Sequence, residues 1–162
     1  MMAVVALFSW PSDGGAPEVG GLVEAGRVED FGPGNVTTFA EEKFHLVRLS
    51  DGEFLALSML DPHGKNLVEA GLATGPCRVP WRPDFTFRNT QGWFRNPCHG
   101  ETYDLTGTCV SGPCPRGLDR FEVRVVRGEV LVDMGRLFCG PSSSVEYEYP
   151  AYCIPPDLST GG

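Results

Sequence analysis

The sequence predicts an all-β protein made of short antiparallel strands. Its 162 residues include 21 glycines and 14 prolines, a composition typical of short strands joined by many turns. Apolar and polar residues alternate along several segments that are separated by turn dipeptides, which is the pattern of half-buried strands in hairpins. We therefore expect one domain with the architecture of a small antiparallel sandwich or barrel.

Three pairs of alternating segments are predicted to form hairpins, with turns at Asp51-Gly52, Gln91-Gly92 and Arg127-Gly128. Glycine is favoured at these positions because tight hairpin turns require positive φ angles. His45 lies within the first of these strands, where we expect a structural histidine whose ring nitrogens are satisfied. The polar segment 61–76 is predicted to be a loop with at most one helical turn, at residues 66–70.

Charge and hydropathy exclude several classes of partner. The net charge of -8 and the pI of about 4.8 disfavour nucleic acid, because a phosphate-binding face needs a surplus of basic residues. No apolar run approaches the roughly 20 residues that a membrane-spanning helix needs. The first ten residues, MMAVVALFSW, are apolar but short, and they lack the basic region of a signal peptide.

The six cysteines point to disulfides. Their number is even, the chain is small, and no CxxC…CxxC pattern of a metal site is present. Disulfides favour an oxidising compartment, whereas the lack of a recognisable export signal points the other way. Motifs of stand-alone enzymes are also absent: the sequence has no G-x-S-x-G, no P-loop and no G-x-G-x-x-G. We therefore expect a protein that is not an enzyme.

About two-thirds of the chain resembles the Rieske iron–sulfur domain of the cytochrome bc type. The resemblance is carried, in order, by FHLVRLSDGEFLALS, CRVPWRPDF, GWFRNPCHGETYDLTG, SGPCPRGLDRFEVRV and GEVLVD. It implies a Rieske-like antiparallel sandwich with a small subdomain of the cluster-binding type. On this basis residues 1–34 are expected to form an extended arm, residues 35–135 the Rieske-like domain, and residues 136–162 a tail packed on or beside it.

In that family a [2Fe–2S] cluster lies between two loops, each of which supplies one cysteine and one histidine ligand. On this pattern His99 matches a histidine ligand, but Leu72 and Asn96 stand at the ligand-cysteine positions and Thr74 at the other histidine position. Leucine has no donor atom, and amide or hydroxyl oxygens are weak neutral donors for iron. The resemblance thus implies a degenerate member, and we expect no [2Fe–2S] cluster and no other cofactor.

The family also has a disulfide that joins the two loops, and the resemblance assigns it to Cys77 and Cys98. The five-residue spacing of Cys109 and Cys114 permits a local bridge across a turn. Cys139 and Cys153 then remain as a pair by elimination. Other connectivities of these last four cysteines stay open, because connectivity does not follow from sequence.

A substitute metal site is a further hypothesis. His63 precedes the first loop and is able to approach His99, and Cys77 and Cys98 would supply thiolates if they were not bridged. Two histidines and two cysteines suit zinc or a mononuclear iron. The simpler interpretation, which we favour, is that His63 is a loop residue and His99 donates hydrogen bonds to loop carbonyls, with no metal bound.

The resulting functional expectation is a cluster-free subunit with a structural or docking role in a membrane-associated electron-transfer complex. Its partners would be protein subunits, contacted through the arm Ser12–Asp30 and the tail Arg136–Gly162, and its location peripheral, on the extracytoplasmic face of a membrane. One alternative is an electron carrier with a non-standard metal centre. The other is a regulatory Rieske-like module of a redox enzyme, which would be cytoplasmic and reduced.

Overall fold

The structure, a computed structural model, describes residues 21–144 and 146–156, except for the side chain of Glu69. It consists of two antiparallel sheets, and the all-β prediction is confirmed. The six-stranded sheet contains, in spatial order, β1 (Leu22–Arg27), β10 (Glu129–Phe138), β9 (Arg120–Val126), β4 (Phe54–Ser58), β3 (Phe44–Arg48) and β2 (Val36–Phe39). The four-stranded sheet contains β5 (Trp81–Phe87), β6 (Thr90–Arg95), β7 (Thr102–Tyr103) and β8 (Cys109–Ser111). The helical elements are a 3-10 turn at Val28–Asp30 and the helix α1 at Pro62–Glu69.

The small sheet is an insertion between two neighbouring strands of the large one. Strands β5 to β8 all lie in sequence between β4 and β9, which pair with each other. The β3–β4 hairpin is apolar on both faces, and this arrangement creates two cores. One face packs against the strands near the termini, with Phe44 and Ala56 in its core, and the other packs toward the small sheet, with Val47 and Leu57.

Two of the three predicted hairpin turns are confirmed. Strand β3 pairs with β4 across the Asp51-Gly52 turn, and β9 pairs with β10 across Arg127-Gly128. The third turn is wrong by three residues. Phe87 pairs with Thr90, so the two-residue turn is Arg88-Asn89, and both turn residues have positive φ angles, 48° and 61°.

Gly92, which the sequence places in that turn, instead lies inside β6. Its φ angle is 88°, and a Cβ atom there would lie 2.9 Å from the Trp81 ring. The glycine is therefore required by a close approach of the indole across the hairpin, and not by the turn. The sequence pattern does not distinguish these two uses of glycine.

Helix α1 is longer than the single turn predicted at residues 66–70, and it begins four residues earlier. Asp61 is its N-cap: the carboxylate accepts hydrogen bonds from the backbone N–H groups of His63 (3.1 Å) and Gly64 (2.9 Å). Pro62 follows as the first helical residue, where its fixed φ and missing N–H are favourable.

The chain ends of the described part lie on the domain. Strand β1, which the sequence assigned to an extended arm, pairs with β10 and forms one edge of the large sheet. The tail is attached by the Cys139–Cys153 disulfide and by a bridge between Phe138 and Ile154. Residues 1–20 and 157–162, which hold about half of the expected contact arm and the end of the expected tail, lie outside the described residues, and the three-part division stays a prediction. Among the described helices, none has the length and hydropathy needed to cross a bilayer.

Candidate functional site

Two loops meet at one end of the small sheet and are covalently joined. The first loop, residues 70–80, follows α1, and the second loop, residues 96–101, connects β6 to β7. The Cys77–Cys98 disulfide, called here the tip disulfide, links them with a Cα–Cα distance of 6.5 Å. A second bridge, Cys109–Cys114, closes the proline-containing turn after β8 and is called the proline-loop disulfide.

Four potential ligand side chains, named here the tip cluster, converge beside this junction: Asp61, His63, His99 and Glu101. One ligand atom from each lies within 4.8 Å of all the others. Glu101 Oε1 is 3.0 Å from His63 Nδ1 and 3.8 Å from His99 Nδ1. The second carboxylate, Asp61, places Oδ2 at 4.0 Å from His99 Nδ1, and the two imidazole rings meet edge to face with centroids 5.0 Å apart.

Backbone features hold Asp61, His63 and Glu101 of the tip cluster in place. Asp61 and His63 are fixed by the start of α1, where the aspartate caps the helix. Glu101 immediately precedes β7, and its carbonyl accepts a hydrogen bond from the Asn96 N–H at 2.9 Å, which closes the second loop. Gly112, with φ at 99°, lets the proline loop approach this segment, since a Cβ there would lie 2.8 Å from Glu101 Cα.

The carboxylates of the tip cluster are buried, whereas the histidines reach solvent. Asp61 and Glu101 are 0% exposed, and the His99 side chain is 41% exposed. Glu101 Oε2 is buried and has no hydrogen-bond partner in the described part of the chain. Tyr103 donates a long hydrogen bond of 3.4 Å to Asp61 Oδ1. Burial, together with the charges of Asp61 and Glu101, raises the pKa of the Tyr103 hydroxyl, so this group stays a proton donor.

Only one of the four residues aligned with ligand positions joins the tip cluster. His99 belongs to it, while Leu72 and Thr74 are exposed on the first loop, Leu72 to 75%. Asn96 is buried, and its Oδ1 accepts a hydrogen bond from the Cys98 N–H at 2.8 Å. The asparagine at this position therefore shapes the second loop in the manner of an Asx turn.

The hypothesis of a two-histidine, two-cysteine site is not supported by the structure, because Cys77 and Cys98 form the tip disulfide. The residues that join the histidines are the carboxylates Asp61 and Glu101, which the sequence analysis did not select as ligands. Local signals for them exist. Asp-Pro-His is a helix start that places a carboxylate beside a histidine, and His-x-Glu places a second carboxylate two residues after the other histidine.

The third histidine, His45, is a structural residue, as the sequence analysis expected. It is fully buried, with Nε2 2.8 Å from the Val79 carbonyl oxygen and Nδ1 2.9 Å from Thr38 Oγ1. Because a carbonyl only accepts, Nε2 carries the proton and Nδ1 accepts from the threonine hydroxyl. Burial lowers the pKa of His45, which keeps the ring neutral.

A second polar network fixes α1 against the domain. The buried guanidinium of Arg116 donates to both carboxylate oxygens of Asp119, at 2.9 and 3.1 Å. Arg116 also donates to the hydroxyl groups of Tyr147 and Tyr152 in the tail. Lys65 of α1 completes the network with an ion pair to Asp119 at 3.0 Å. The helix that carries His63 is thereby tied to the tail and to the segment before β9.

Comparison with known proteins defines the class. The model of the Rieske [2Fe-2S] domain family matches residues 21–122, and the chain belongs to this family. The cytochrome b6-f complex iron-sulfur subunit 2 of the Cyanophora paradoxa cyanelle is 38% identical over 72 residues, which cover 44% of this chain and 26% of that protein. The corresponding subunit of Synechococcus elongatus is 30% identical over 82 residues, covering 51% of this chain and 42% of the relative. This chain therefore spans less than half the length of either of these two relatives.

Among solved structures, the cyanobacterial plasma membrane Rieske protein of Synechocystis PCC 6803 is similar. It is 22% identical, with a TM-score of 0.46, and the match covers 68% of this chain and 97% of that one.

The expectation that this chain has no [2Fe–2S] cluster is contradicted by these comparisons, since the family and the curated relatives are named for an iron–sulfur centre. The donors that the structure describes do not fit the family's ligand set, however. All six cysteines are in disulfides, so none offers a thiolate to iron. The described residues thus contain no complete set of two cysteines and two histidines.

Proposed function

We propose that this chain is a subunit of a membrane-associated electron-transfer complex, in which it has a structural or docking role and catalyses no reaction of its own. The observation that carries the proposal is the surface formed by the two joined loops. Leu72 is 75% exposed on the first loop, and Pro97 and Cys98 are exposed on the second. The occupant of this surface is a protein subunit of the complex.

The rigidity of this surface supports a docking role. The tip disulfide, the hydrogen bond from the Cys98 N–H to Asn96, and the closure of the second loop at Glu101 hold the two loops in one arrangement. An apolar side chain presented on a pre-ordered loop loses little conformational entropy on binding. An isolated exposed leucine is unremarkable, but Leu72 lies on a loop that the tip disulfide joins to the second loop, where Pro97 and Cys98 are exposed.

The disulfides support a place on the extracytoplasmic face of the membrane. Three bridges in a small domain are typical of oxidising compartments, and the reduced cytoplasm disfavours them. They speak against the alternative of a cytoplasmic regulatory module. The curated relatives are subunits of a cytochrome b6-f complex, which supports protein partners of the same general kind.

The test is co-purification from native membranes. The full chain, tagged at its C-terminus, is isolated in mild detergent, and the associated proteins are identified by mass spectrometry. We expect cytochrome-containing subunits in stoichiometric amounts. Leu72→Glu is expected to lose them because it places a charge in the interface core, whereas the control Leu22→Glu, at an exposed leucine of β1 on the other sheet, retains them. A chain that is recovered alone, or equal recovery of partners with both variants, would refute the proposal.

A second candidate function, that of an electron carrier with a non-standard metal centre, is favoured by one observation, the tip cluster. It requires a redox-active metal at that position. Voltammetry of the isolated, metal-loaded protein tests it: a reversible one-electron wave that is absent from His99→Gln is the expected result. A protein without such a wave would have the docking role alone.

A further inference from the structure

We infer that the tip cluster is a binding site for a single divalent transition-metal ion of the Zn²⁺ type, held by His63, His99, Glu101 and Asp61. This site differs from the cluster-binding arrangement of the family, because it uses no cysteine and only His99, one of its four ligands, stands at a position that the family resemblance assigns to a ligand. It is also independent of the proposed docking role, which concerns the exposed surface of the loops.

The distances fit one ion. Metal–ligand bonds of about 2.0–2.1 Å separate neighbouring ligand atoms of a tetrahedral site by roughly 3.3–3.4 Å. The observed separations are 3.0 Å between Glu101 and His63, 3.8 Å between Glu101 and His99, and 4.0 Å between Asp61 and His99. These three separations lie on both sides of the tetrahedral value, and all four ligand atoms lie within 4.8 Å of one another, so the side chains need to close in by up to about 1.4 Å around one ion.

The electrostatics of Glu101 call for a cation at this place. Its carboxylate is fully buried, Oε2 has no hydrogen-bond partner among the described residues, and Oε1 faces both histidines. A buried carboxylate without a full set of partners is costly. A divalent ion between Glu101 Oε1 and the two imidazoles would balance the charge of this buried carboxylate and that of the second one, Asp61.

The donor chemistry selects the metal class. Imidazole nitrogen suits zinc, copper, iron and nickel, and carboxylate oxygen adds charge without requiring a soft ion. Asp61 is also held by the two backbone N–H groups at the start of α1 and by the Tyr103 hydroxyl. Such supporting hydrogen bonds orient a ligand before the metal arrives. The 41% exposure of the His99 side chain provides the path of entry.

The first measurement is the metal and acid-labile sulfide content of the untagged, oxidised protein isolated from its native source. One metal ion per chain without sulfide supports the site. Iron with an equal amount of labile sulfide would overturn it, because His99 would then serve the family's cluster.

The second measurement uses Co²⁺ as a spectroscopic probe and Zn²⁺ as its competitor, on protein stripped of metal with its disulfides intact. We expect one Co²⁺ per chain, with visible absorption bands of tetrahedral strength that Zn²⁺ abolishes. His99→Gln and Glu101→Gln should each weaken binding by more than about 100-fold, since the loss of a supporting partner alone costs roughly 10–100-fold.

The matched control is Glu129→Gln, which neutralises a partly exposed carboxylate on β10, in the other sheet. Its Co²⁺ affinity should equal that of the wild type. Circular dichroism establishes that each variant is folded, and His63→Gln replaces Glu101→Gln if the latter does not fold. Absence of saturable Co²⁺ and Zn²⁺ binding at millimolar concentration, or equal binding by the control and the ligand variants, would overturn the inference.

Discussion

The buried ion pair between Arg116 and Asp119 gives the most quantitative test of how this fold is held together. Both side chains are 0% exposed and are joined by two hydrogen bonds. Replacing Arg116 with methionine keeps the apolar stem but removes the guanidinium, and it leaves Asp119 buried with Lys65 as its remaining cation.

The expected loss follows from this partial compensation. Breaking a buried pair by removing one partner costs roughly 3–5 kcal/mol. Because Lys65 lies 3.0 Å from Asp119, we expect the lower end, about 3 kcal/mol. For a chain of this length that corresponds to a fall in Tm of roughly 6–12 °C. The hydrogen bonds to the tail tyrosines are lost in the same variant, so the tail should become more sensitive to proteolysis.

The assay is thermal and urea denaturation of the oxidised protein, followed by circular dichroism. The control is Arg27→Met, which breaks an exposed pair with Glu129 and should leave the Tm nearly unchanged, because solvent screens such pairs. A double variant, Arg116→Met with Asp119→Leu, should recover part of the loss, since it removes the stranded charge. If Arg116→Met were as stable as Arg27→Met, the network would not carry the stability assigned to it here.

Three further predictions concern the disulfides, the β5–β6 hairpin and pH. Replacing both cysteines of the tip disulfide with serine should lower the free energy of unfolding by about 3 kcal/mol, and the same change in the proline-loop disulfide should lower it by about 2 kcal/mol. The tip disulfide costs more because its cysteines are separated by 21 residues and those of the proline-loop disulfide by 5. If urea denaturation gave the reverse order, the loop-entropy argument would be contradicted. Gly92→Ala should cost about 1–3 kcal/mol by the same assay, since its Cβ would meet the Trp81 ring at a strained φ, whereas Gly34→Ala, also at positive φ but with open space around it, should cost less. The pKa of His45 is lowered in the folded state, so below pH about 6.5 the unfolded chain binds a proton that the folded chain does not. The free energy of unfolding therefore decreases as the pH is lowered, by up to about 1.4 kcal/mol per pH unit. The stability difference between wild type and His45→Gln should shrink when the pH is lowered from 7.5 to 5.5, and a constant difference would show that His45 does not titrate in this way.

The second loop carries part of the family resemblance and also two members of the tip cluster, His99 and Glu101. The fold retains the joined loops, with the tip disulfide in place and His99 on the second loop. At the positions that the sequence resemblance assigned to the ligand cysteines, Asn96 accepts a hydrogen bond within the second loop and Leu72 faces solvent. The tip cluster beside these loops thus combines carboxylates with imidazoles and contains no thiolate.

The sequence by itself determined the features that depend on neighbouring residues. Alternating polarity predicted the strands, and the Asp-Gly and Arg-Gly dipeptides located two of the three hairpin turns, because side-chain direction and turn geometry are local properties. The motif around Cys98 and His99 identified the family for the same reason. The wrong turn at Gly92 shows the limit: its glycine is needed by a ring on the opposite strand, which no local pattern reveals.

Only the tertiary structure decided the site. Glu101 meets His63 across 38 residues of sequence, and Arg116 meets the tyrosines of the tail across 31 and 36 residues. Such contacts depend on how α1, the two loops and the tail pack together. Of the tip cluster, the sequence therefore suggested the two histidines by their chemistry, whereas the carboxylates emerged only once the helix cap at Asp61 and the start of β7 were brought side by side.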